Sequence, residues 1–477
     1  MNSLLEEIEE WKLEAKLENS DRYFYHTRIV NRILSGNKLY VVGRKGTGKT
    51  AISEHLDNKS EPGYYSQKLT FKNFPFNNLY ELQDKGFTKP NQYITLWKYL
   101  IYSTICKLMS KNPSVGFETR EKLQNIFNDD IENALPNAID RWTSLKFDIK
   151  ILGTGIGFGT DKKTEEKGDG DNWIARVDTL ENFLKGQIGA DKYLIMFDEL
   201  DEDYKDIIEP EKYKQYTDLL TSLFKAVQDI RARFSSRQLY PVVFIRDDIY
   251  EILQDPDKTK WLDYKADLEW DEDSIKNMLA FRLSRALSKT GEIQEFNKIW
   301  QSLFTPGNVR YGDGKRKSMT PFSYITRSSF LRPRDYIRYL QVCAEMTLEK
   351  GFDYIEPTTL SEADTAFSNY LRSELEDEIH GAIPDIHKIL DIFTTLRKQT
   401  LRIEEFVSAF NQASESGLIK TKDSQFVLQM LFHFSIIGNQ PKQVSYQVFR
   451  YKNKEARLNM SENIILHRGL FRALQIL

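Results

Sequence analysis

The sequence has few cysteines, no long apolar run and almost no net charge, and each absence excludes a class of protein. Its two cysteines, Cys106 and Cys343, have no CxxC partner, which excludes a disulfide framework and a zinc ribbon. No apolar run approaches the ~20 residues that a membrane-spanning helix needs, so we expect no membrane partner. The N-terminus lacks the basic, apolar and small-residue order of a signal peptide, so we expect a cytoplasmic protein.

Charge and length narrow the range of functions further. Lys and Arg total 67 against 70 Asp and Glu, so the net charge of −3 provides no general attraction to nucleic acid. The charge is uneven, however, because residues 381–477 contain 13 basic and 8 acidic side chains. With 477 residues, of which 40% are hydrophobic and 13% aromatic, the chain is long enough for about three globular domains.

The strongest motif lies early in the chain, in the order strand, glycine-rich loop, helix. The run KLYVV (38–42) predicts a buried strand, GRKGTGKT (43–50) matches G-x-x-x-x-G-K-[ST], and AISEHL (51–56) has helical spacing. Glycines let backbone N–H groups surround a phosphate, which a Cβ would obstruct. Lys49 would reach the β- and γ-phosphates, and the Thr50 hydroxyl would bind Mg²⁺. The predicted residues that bind ATP are Gly43, Arg44, Lys45, Gly46, Thr47, Gly48, Lys49, Thr50 and Ala51.

A second acidic motif would complete the site. The run YLIMF (193–197) predicts a buried strand, and Asp198 and Glu199 follow it directly. Asp198 would hold the Mg²⁺ shell, and Glu199 would orient and deprotonate the attacking water. The alternative is a buried strand followed by an acid-rich helix start, where carboxylates favour the helix dipole. We interpret residues 201–203 as a solvated acidic turn.

Further strand patterns fit the same sheet. Strands are predicted at 65–71, 240–245 and 266–270. A helical stretch at 206–234 separates the strand at 193–197 from that at 240–245, and another at 248–256 precedes the strand at 266–270. Alternating strands and helices favour an α/β P-loop fold, in which a parallel sheet has helices on both faces and the site lies at the C-terminal ends of the strands.

A long insertion at 72–190 interrupts this pattern. It has helical patterns near 92–110 and 117–143, followed by glycine-rich and polar stretches at Gly153–Gly159 and Asp161–Asn172. These glycines lack the G-K-[ST] ending of a phosphate loop, so we interpret the segment as a flexible hairpin or linker.

From residue 271 onward the predicted elements are helices, until strand patterns return near the C-terminus. Three short helices and then strands form the order of a winged helix-turn-helix. The helices are predicted at 272–288, 293–304, 333–350, 357–378, 385–396, 402–413 and 422–433, and the strand patterns at 434–437, 446–451 and 456–458. The predicted units are an N-terminal helical segment at 1–35, a P-loop core at 36–270, a helical lid at 271–380 and a winged-helix domain at 381–477.

Together these motifs resemble the AAA+ and STAND branch of P-loop ATPases, in which the phosphate-site motifs precede a helical lid and a winged helix. Origin-recognition ATPases share that order, and the chain is also similar to bacterial P-loop ATPases found near mobile-element and phage-defence genes. The stretches that carry the resemblance are GRKGTGKTAI (43–52), FDELDE (197–202), IRDDIY (245–250) and LRPRD (331–335).

The resemblance implies roles for two arginines. Arg246 ends the strand after the acidic motif, where such ATPases place a sensor of the γ-phosphate; its alternative is a surface arginine paired with Asp247 or Asp248. Arg334 begins a lid helix, the usual place for an arginine that reaches back to the phosphates, and Arg332 is the alternative. We expect both Arg246 and Arg334 to act in catalysis together with Glu199 and Lys49.

One departure from the family concerns the arginine finger that a neighbouring subunit supplies. The resemblance places it between Asp247 and Trp270, and this stretch contains no arginine. Lys258, Lys260 and Lys265, or Arg231 and Arg233, are the substitutes that the sequence offers. Hydrolysis at a P-loop without a finger is slow, which favours a switch over a fast motor.

Two other patterns leave alternatives open. The aromatic run YFYH (23–26) precedes the P-loop strand and could stack on adenine or pack in a core. None of the six histidines has the spacing of a helical zinc site, so we assign them to packing or surface roles. The C-terminal cations fit either DNA phosphates or a protein contact; they are Lys442, Arg450, Lys452, Lys454, Arg457, Arg468 and Arg472.

The sequence therefore predicts an ATPase that binds ATP and Mg²⁺ and hydrolyses ATP slowly. Our leading hypothesis is a molecular switch that repositions its lid and winged helix, forms a homo-oligomer and engages a protein partner or effector. The resemblance adds a setting in bacterial antiviral defence. The alternatives are an oligomeric remodeller or loader that engages DNA, and a scaffold that binds nucleotide without hydrolysing it.

Overall fold

The computed structural model describes residues 2–70, 91–126, 173–201, 210–312, 314, 316–441 and 446–476. Helices and strands are numbered along these residues. Several sequence-based predictions fall outside them, namely those for Gly153–Gly159, Asp161–Asn172, Lys442, residues 202–203 and the second half of the helix at 117–143.

A five-stranded parallel sheet forms the centre of the N-terminal half. Its spatial order is β2-β3-β4-β1-β5, so that β4 lies between the strand before the phosphate loop and the strand that ends in Asp198. The predicted α/β fold class is confirmed. The strands are β1 (Tyr40–Val42), β2 (Tyr64–Thr70), β3 (Lys192–Asp198), β4 (Leu239–Ile245) and β5 (Lys265–Asp267).

Helices pack on this sheet because they bury one apolar face, and one of them is buried on all sides. Residues 95–110 of α5 are buried along their whole length, against α7, α8 and the strands β2 and β3. The helices of this half are α3 (Arg28–Leu34), α4 (Lys49–Asp57), α5 (Ile94–Ser110), α6 (Phe117–Ile126), α7 (Trp173–Gln187), α8 (Pro210–Arg233) and α9 (Asp247–Ile252). Part of the insertion is therefore integral to the core around the sheet.

The region after residue 271 contains the predicted helices and two elements that were not predicted, a short helix (Pro321–Thr326) and a pair of strands. An antiparallel pair of strands, β6 (Val309–Tyr311) and β7 (Lys317–Met319), lies where the prediction had helices only, so that prediction was wrong. The pair flanks a glycine turn, a local signal that the helical periodicity on either side obscured. The helices are α10 (Glu272–Leu287), α11 (Phe296–Gln301), α12 (Pro321–Thr326), α13 (Pro333–Glu349) and α14 (Pro357–Ile379).

The C-terminal residues form three helices and a small antiparallel sheet of order β8-β10-β9. The helices match the prediction within three residues. The elements are α15 (Ile386–Leu396), β8 (Thr400–Leu401), α16 (Ile403–Glu415), α17 (Ser424–His433), β9 (Ile437–Gln440) and β10 (Asn463–Leu466).

The strand predictions at 446–451 and 456–458 were wrong, because neither stretch forms a strand and β9 pairs with β10. Among the described residues, the backbone pairing of β9 with the stretch at 446–458 is an isolated bridge between Asn439 and Val448. The side chains of Asn453 and Asn459 accept hydrogen bonds from backbone N–H groups two residues on, which closes turns. Such turns compete with a strand ladder.

The N-terminal helices α1 (Asn2–Glu9) and α2 (Ser20–Tyr23) pack on the lid helices. Leu4, Leu5 and Ile8 of α1 belong to a hydrophobic core that α10, α13, α14 and the C-terminal residues share. The core around the parallel sheet is separate from it and contains Cys106, whereas Cys343 lies in the shared core. Within the described ranges, none of the helices combines the length and the apolarity that crossing a bilayer requires.

Candidate nucleotide site

The phosphate loop connects β1 to the N-terminus of α4 and needs its glycines for conformation. Gly46 and Gly48 have φ angles of 81° and 101°, in the left-handed region that side chains with a Cβ rarely adopt. A Cβ at Gly46 would also approach Arg334 Cβ to 3.3 Å. The loop is fixed from outside, since Trp270 Nε1 donates to the Thr47 carbonyl oxygen at 2.9 Å.

Lys49 and Thr50 begin α4 at the predicted place. The Lys49 ammonium donates to the carbonyl oxygens of Gly43 at 2.8 Å and Arg44 at 3.0 Å, so it lies along the inside of the loop. Burial lowers the pKa of Lys49. Lys45, Gly46, Thr47, Gly48, Lys49, Thr50 and Ala51 line one cavity of about 650 Å³.

Asp198 lies at the end of β3 and is 2% exposed. Its Oδ2 accepts a hydrogen bond from Ser53 Oγ at 2.6 Å, and its Oδ1 accepts from the Glu199 backbone N–H at 2.9 Å. Burial raises the pKa of Asp198. The sequence analysis missed Ser53, although the i,i+3 spacing from Thr50 places both hydroxyls on one face of α4 and could have indicated it.

Thr50 and Asp198 fit Mg²⁺ when phosphate and water complete its ligand set. Mg²⁺ needs six oxygen ligands and is commonly held by one or two carboxylates together with substrate phosphates. Among the described residues there is no group of three or more His, Cys, Asp or Glu that could hold a metal ion. The residues are therefore suited to a magnesium–nucleotide complex rather than to a permanently bound metal.

Glu199 lies on the cavity wall in a strained backbone conformation. Its φ of 58° is in the left-handed region, and non-glycine residues of this kind cluster at functional sites. Its Oε1 forms an ion pair with Lys16 Nζ at 2.6 Å. Its Oε2 is buried and has no hydrogen-bond partner within the part of the chain that the structure describes. Sequence analysis gave no signal for Lys16, because the contact joins residues that are 183 positions apart.

Arg246 lies at the end of β4, in the cavity wall, and its donors are directed at carboxylates. Its Nε and Nη2 donate to Asp248 at 3.0 and 2.7 Å, and its Nη1 donates to Asp201 at 3.4 Å. Although burial acts in the opposite direction, Asp248 and Glu378 hold the pKa of Arg246 well above its ordinary value. The structure thus contains the pairing with Asp248 that the sequence analysis considered as an alternative.

The two lid arginines have different surroundings. Arg332 is 1% exposed, donates to Asp335 at 2.8 Å, and donates to the Lys45 carbonyl oxygen of the phosphate loop at 3.2 Å. Arg334 lines the cavity and forms an ion pair with Glu374 at 3.0 Å, with 24% of its side chain exposed. Arg332 therefore fastens the lid to the loop, and Arg334 is the one with access to the cavity.

Residues from the N-terminal segment form another wall of the cavity. Tyr23, Phe24 and Tyr25 line it, as do Met278 and Arg282 of α10. We call Tyr23, Phe24 and Tyr25 the aromatic wall. Phe24 stacks on His55 of α4 with ring centroids 4.0 Å apart.

The C-terminal residues contact the P-loop core through ion pairs. Arg450 pairs with Glu251 of α9, and Lys454 pairs with Glu269 and, at 3.0 Å, with Asp267 at the end of β5. A second cavity of about 540 Å³ lies at this contact. These two cations are therefore already neutralised within the chain.

Arg44 of the phosphate loop lies at the centre of that contact. Its guanidinium is 5.0 Å from the ring centroid of Phe330, which precedes the lid helix α13, and 6.0 Å from that of Tyr451. Both rings also pack against His467, which is buried. The phosphate loop, the lid and the C-terminal residues thus meet at one arginine.

Comparison with known proteins gives one family match. Residues 273–376 match the model of the FunZ-associated C-terminal helical domain, which corresponds to the predicted lid. Among curated proteins, no sequence matches this one significantly.

Several solved structures align over nearly the whole chain at low similarity. The ORC1 protein of Aeropyrum pernix in complex with DNA is 11% identical with a TM-score of 0.38, and the alignment covers 97% of this chain and 96% of that one. Cdc6p from Pyrobaculum aerophilum is 12% identical with a TM-score of 0.30, covering 93% and 89%. Similarity at this level assigns neither an activity nor a partner to the chain.

The contrast between Arg332 and Arg334 can be tested by substitution. We expect Arg332→Ala to lower the free energy of unfolding by about 3–5 kcal/mol, because it leaves Asp335 as a buried, uncompensated charge. Arg334→Ala should change it by less than about 1 kcal/mol, since its ion pair is partly exposed, and should weaken nucleotide binding instead. Urea unfolding and nucleotide titration measure the two quantities, and equal stability losses in the two variants would contradict this division of roles.

Proposed function

We propose that the chain is a P-loop ATPase of the AAA+ or STAND type that acts as a slow molecular switch. A single cavity collects the phosphate loop, Asp198, Glu199, the lid residue Arg334 and the N-terminal aromatic wall, which supports binding of ATP with Mg²⁺. In this proposal Mg²⁺ would be held by Thr50 and Asp198, and it would supply a positive charge to the β- and γ-phosphate oxygens.

The proposed chemistry uses Glu199 as the base. Its carboxylate accepts a proton from water as the water oxygen attacks the γ-phosphorus, and the bond from that phosphorus to the leaving oxygen of ADP breaks. The products are ADP and inorganic phosphate. Lys49 neutralises the phosphate oxygens, and Arg334 contacts them from the lid.

The position of Arg44 carries the proposal that ATP occupancy is transmitted to the C-terminal domain. The residue belongs to the loop that would bind phosphate, and its guanidinium packs on Phe330 of the lid and Tyr451 of the C-terminal residues. A rearrangement of the loop on binding nucleotide would therefore alter both contacts. We propose that it loosens the C-terminal domain, which frees Arg450 and Lys454 for a protein partner or effector.

Turnover by the purified protein tests the ATPase proposal. We expect hydrolysis slower than about one ATP per second, indifferent to duplex DNA and abolished by Glu199→Gln, which should still bind ATP. Lys49→Ala should abolish binding itself. Fast turnover that DNA stimulates would instead favour a remodeller or loader, and tight binding without any turnover in the wild type would favour a scaffold.

A charge swap tests the docking of the C-terminal domain. We expect Arg450→Glu to lower hydrogen-exchange protection at residues 446–459 by on the order of tenfold, because it replaces attraction to Glu251 with repulsion. Adding Glu251→Arg should restore the protection. Arg402→Glu is the matched control, since the ion pair of Arg402 is with Glu405 of its own domain, at 3.8 Å. Failure of the double variant to recover would contradict the proposed contact.

We also propose, from the sequence resemblance alone, that the switch acts in bacterial antiviral defence. Bacteria that express the wild-type chain with its native neighbouring genes should give fewer phage plaques than bacteria that express Lys49→Ala in the same context. Equal plaque numbers for the two strains across a panel of unrelated phages would contradict a role in antiviral defence and leave the ATPase proposal intact.

A further inference from the structure

The contact between Lys16 and Glu199 joins the N-terminal segment to the proposed catalytic carboxylate. Lys16 lies in a single 3₁₀ turn, Ala15–Leu17, and its ammonium is 2.6 Å from Glu199 Oε1. Both side chains line the nucleotide cavity. Any role of this contact in hydrolysis rests on the proposed function, because that proposal assigns the role of base to Glu199.

The segment that presents Lys16 is fastened to the lid. Glu18 forms a buried ion pair with Arg282 of α10 at 2.6 Å, and the Arg282 guanidinium lies over the rings of Trp11 and Tyr23 at 4.6 and 4.9 Å. Gln341 of α13 donates to the Trp11 carbonyl oxygen at 2.6 Å. The segment that presents Lys16 is thus bonded to the lid through Glu18 and Trp11, while its 3₁₀ turn also packs against α4 of the core.

This pairing restrains Glu199 as a base. The Lys16 ammonium occupies Oε1, and Oε2 is buried without a hydrogen-bond partner among the described residues. For Glu199 to take a proton from water at Oε1, the Lys16 ammonium must leave Glu199 and pair with another anion.

Two lysines of the 247–270 stretch already have partners within the chain. Lys258 donates to the three carbonyl oxygens of Tyr250, Glu251 and Leu253, and Lys265 pairs with Asp267. These are two of the lysines in the stretch where the family resemblance places an arginine finger.

Two more cations border the cavity and share one carboxylate. Lys45 lies 3.7 Å from Glu374, and Arg334 pairs with the same Glu374. Among the described residues, Lys16 is the cation in contact with Glu199, beside which the attacked phosphate would lie.

We propose that Lys16 binds the γ-phosphate of ATP and, in doing so, releases Glu199 to act as the base. The γ-phosphate brings its negative charge into the space between the phosphate loop and Glu199, where it competes for the ammonium through charge-assisted hydrogen bonds. ADP lacks this group and leaves Lys16 on Glu199. The N-terminal segment thus supplies in cis a cation in place of the arginine that the 247–270 stretch lacks.

Binding measurements test this exchange without depending on turnover. Calorimetric titration with ADP and with a non-hydrolysable ATP analogue gives the preference for the γ-phosphate in each variant. We expect Lys16→Ala to lower the affinity for the ATP analogue by about tenfold and the affinity for ADP by less than about twofold. Glu199→Gln should increase the preference for the analogue over ADP, because this substitution removes the anion that competes for Lys16. Lys16→Arg should retain most of the wild-type preference.

Controls separate this inference from the proposed function and from folding. Lys276→Ala removes a lysine of α10 that pairs with Asp273 on the surface and should leave both affinities unchanged. Equal weakening of ADP and analogue in Lys16→Ala would give Lys16 a structural role only, and no weakening of either would also overturn the inference. A wild-type chain that binds neither nucleotide would instead overturn the proposed function.

Discussion

The buried guanidinium of Arg332 joins three parts of the chain that are far apart in sequence. It donates to the Lys45 carbonyl oxygen in the phosphate loop and to Asp335 in the lid, and it lies 3.8 Å from Glu378. The backbone oxygen of Glu378 also accepts from Arg246 at the end of β4. A charge this deeply buried is tolerated only where its donors are satisfied. Loop, lid and strand end must therefore keep their relative positions, and the cavity between them depends on that constraint.

The features that could be predicted from the sequence are those that local pattern determines. The short apolar strands before the phosphate loop and before Asp198, and the glycines between β1 and α4, were enough to indicate the sheet and the candidate site. The three C-terminal helices have clear apolar periodicity and lie where it indicated. The choice of Arg334 over Arg332 remains a prediction, although the exposure of Arg334 to the cavity favours it.

The features that were missed depend on contacts between distant residues. Residues 446–451 have good strand composition, yet Asn439 uses its side chain to bind the backbone of Arg457 and Asn459, which leaves β9 to pair with β10. The roles of Ser53 and Lys16 arise from their contacts with Asp198 and Glu199. The spacing from Thr50 could have indicated Ser53, but no spacing within a single helix or strand encodes the contact of Lys16 with Glu199, so only the folded chain reveals it.

The two buried cysteines have a consequence for chemical reactivity. Cys106 belongs to the core around the parallel sheet, and Cys343 belongs to the core that the lid shares with the C-terminal residues. Burial raises the pKa of each thiol, and the thiolate is the reactive species, so the folded chain offers neither to an alkylating reagent. Modification of either thiol requires its own core to open. The alkylation rate of each cysteine therefore measures the opening of its own core, and the ratio of the two rates reports which core opens more often.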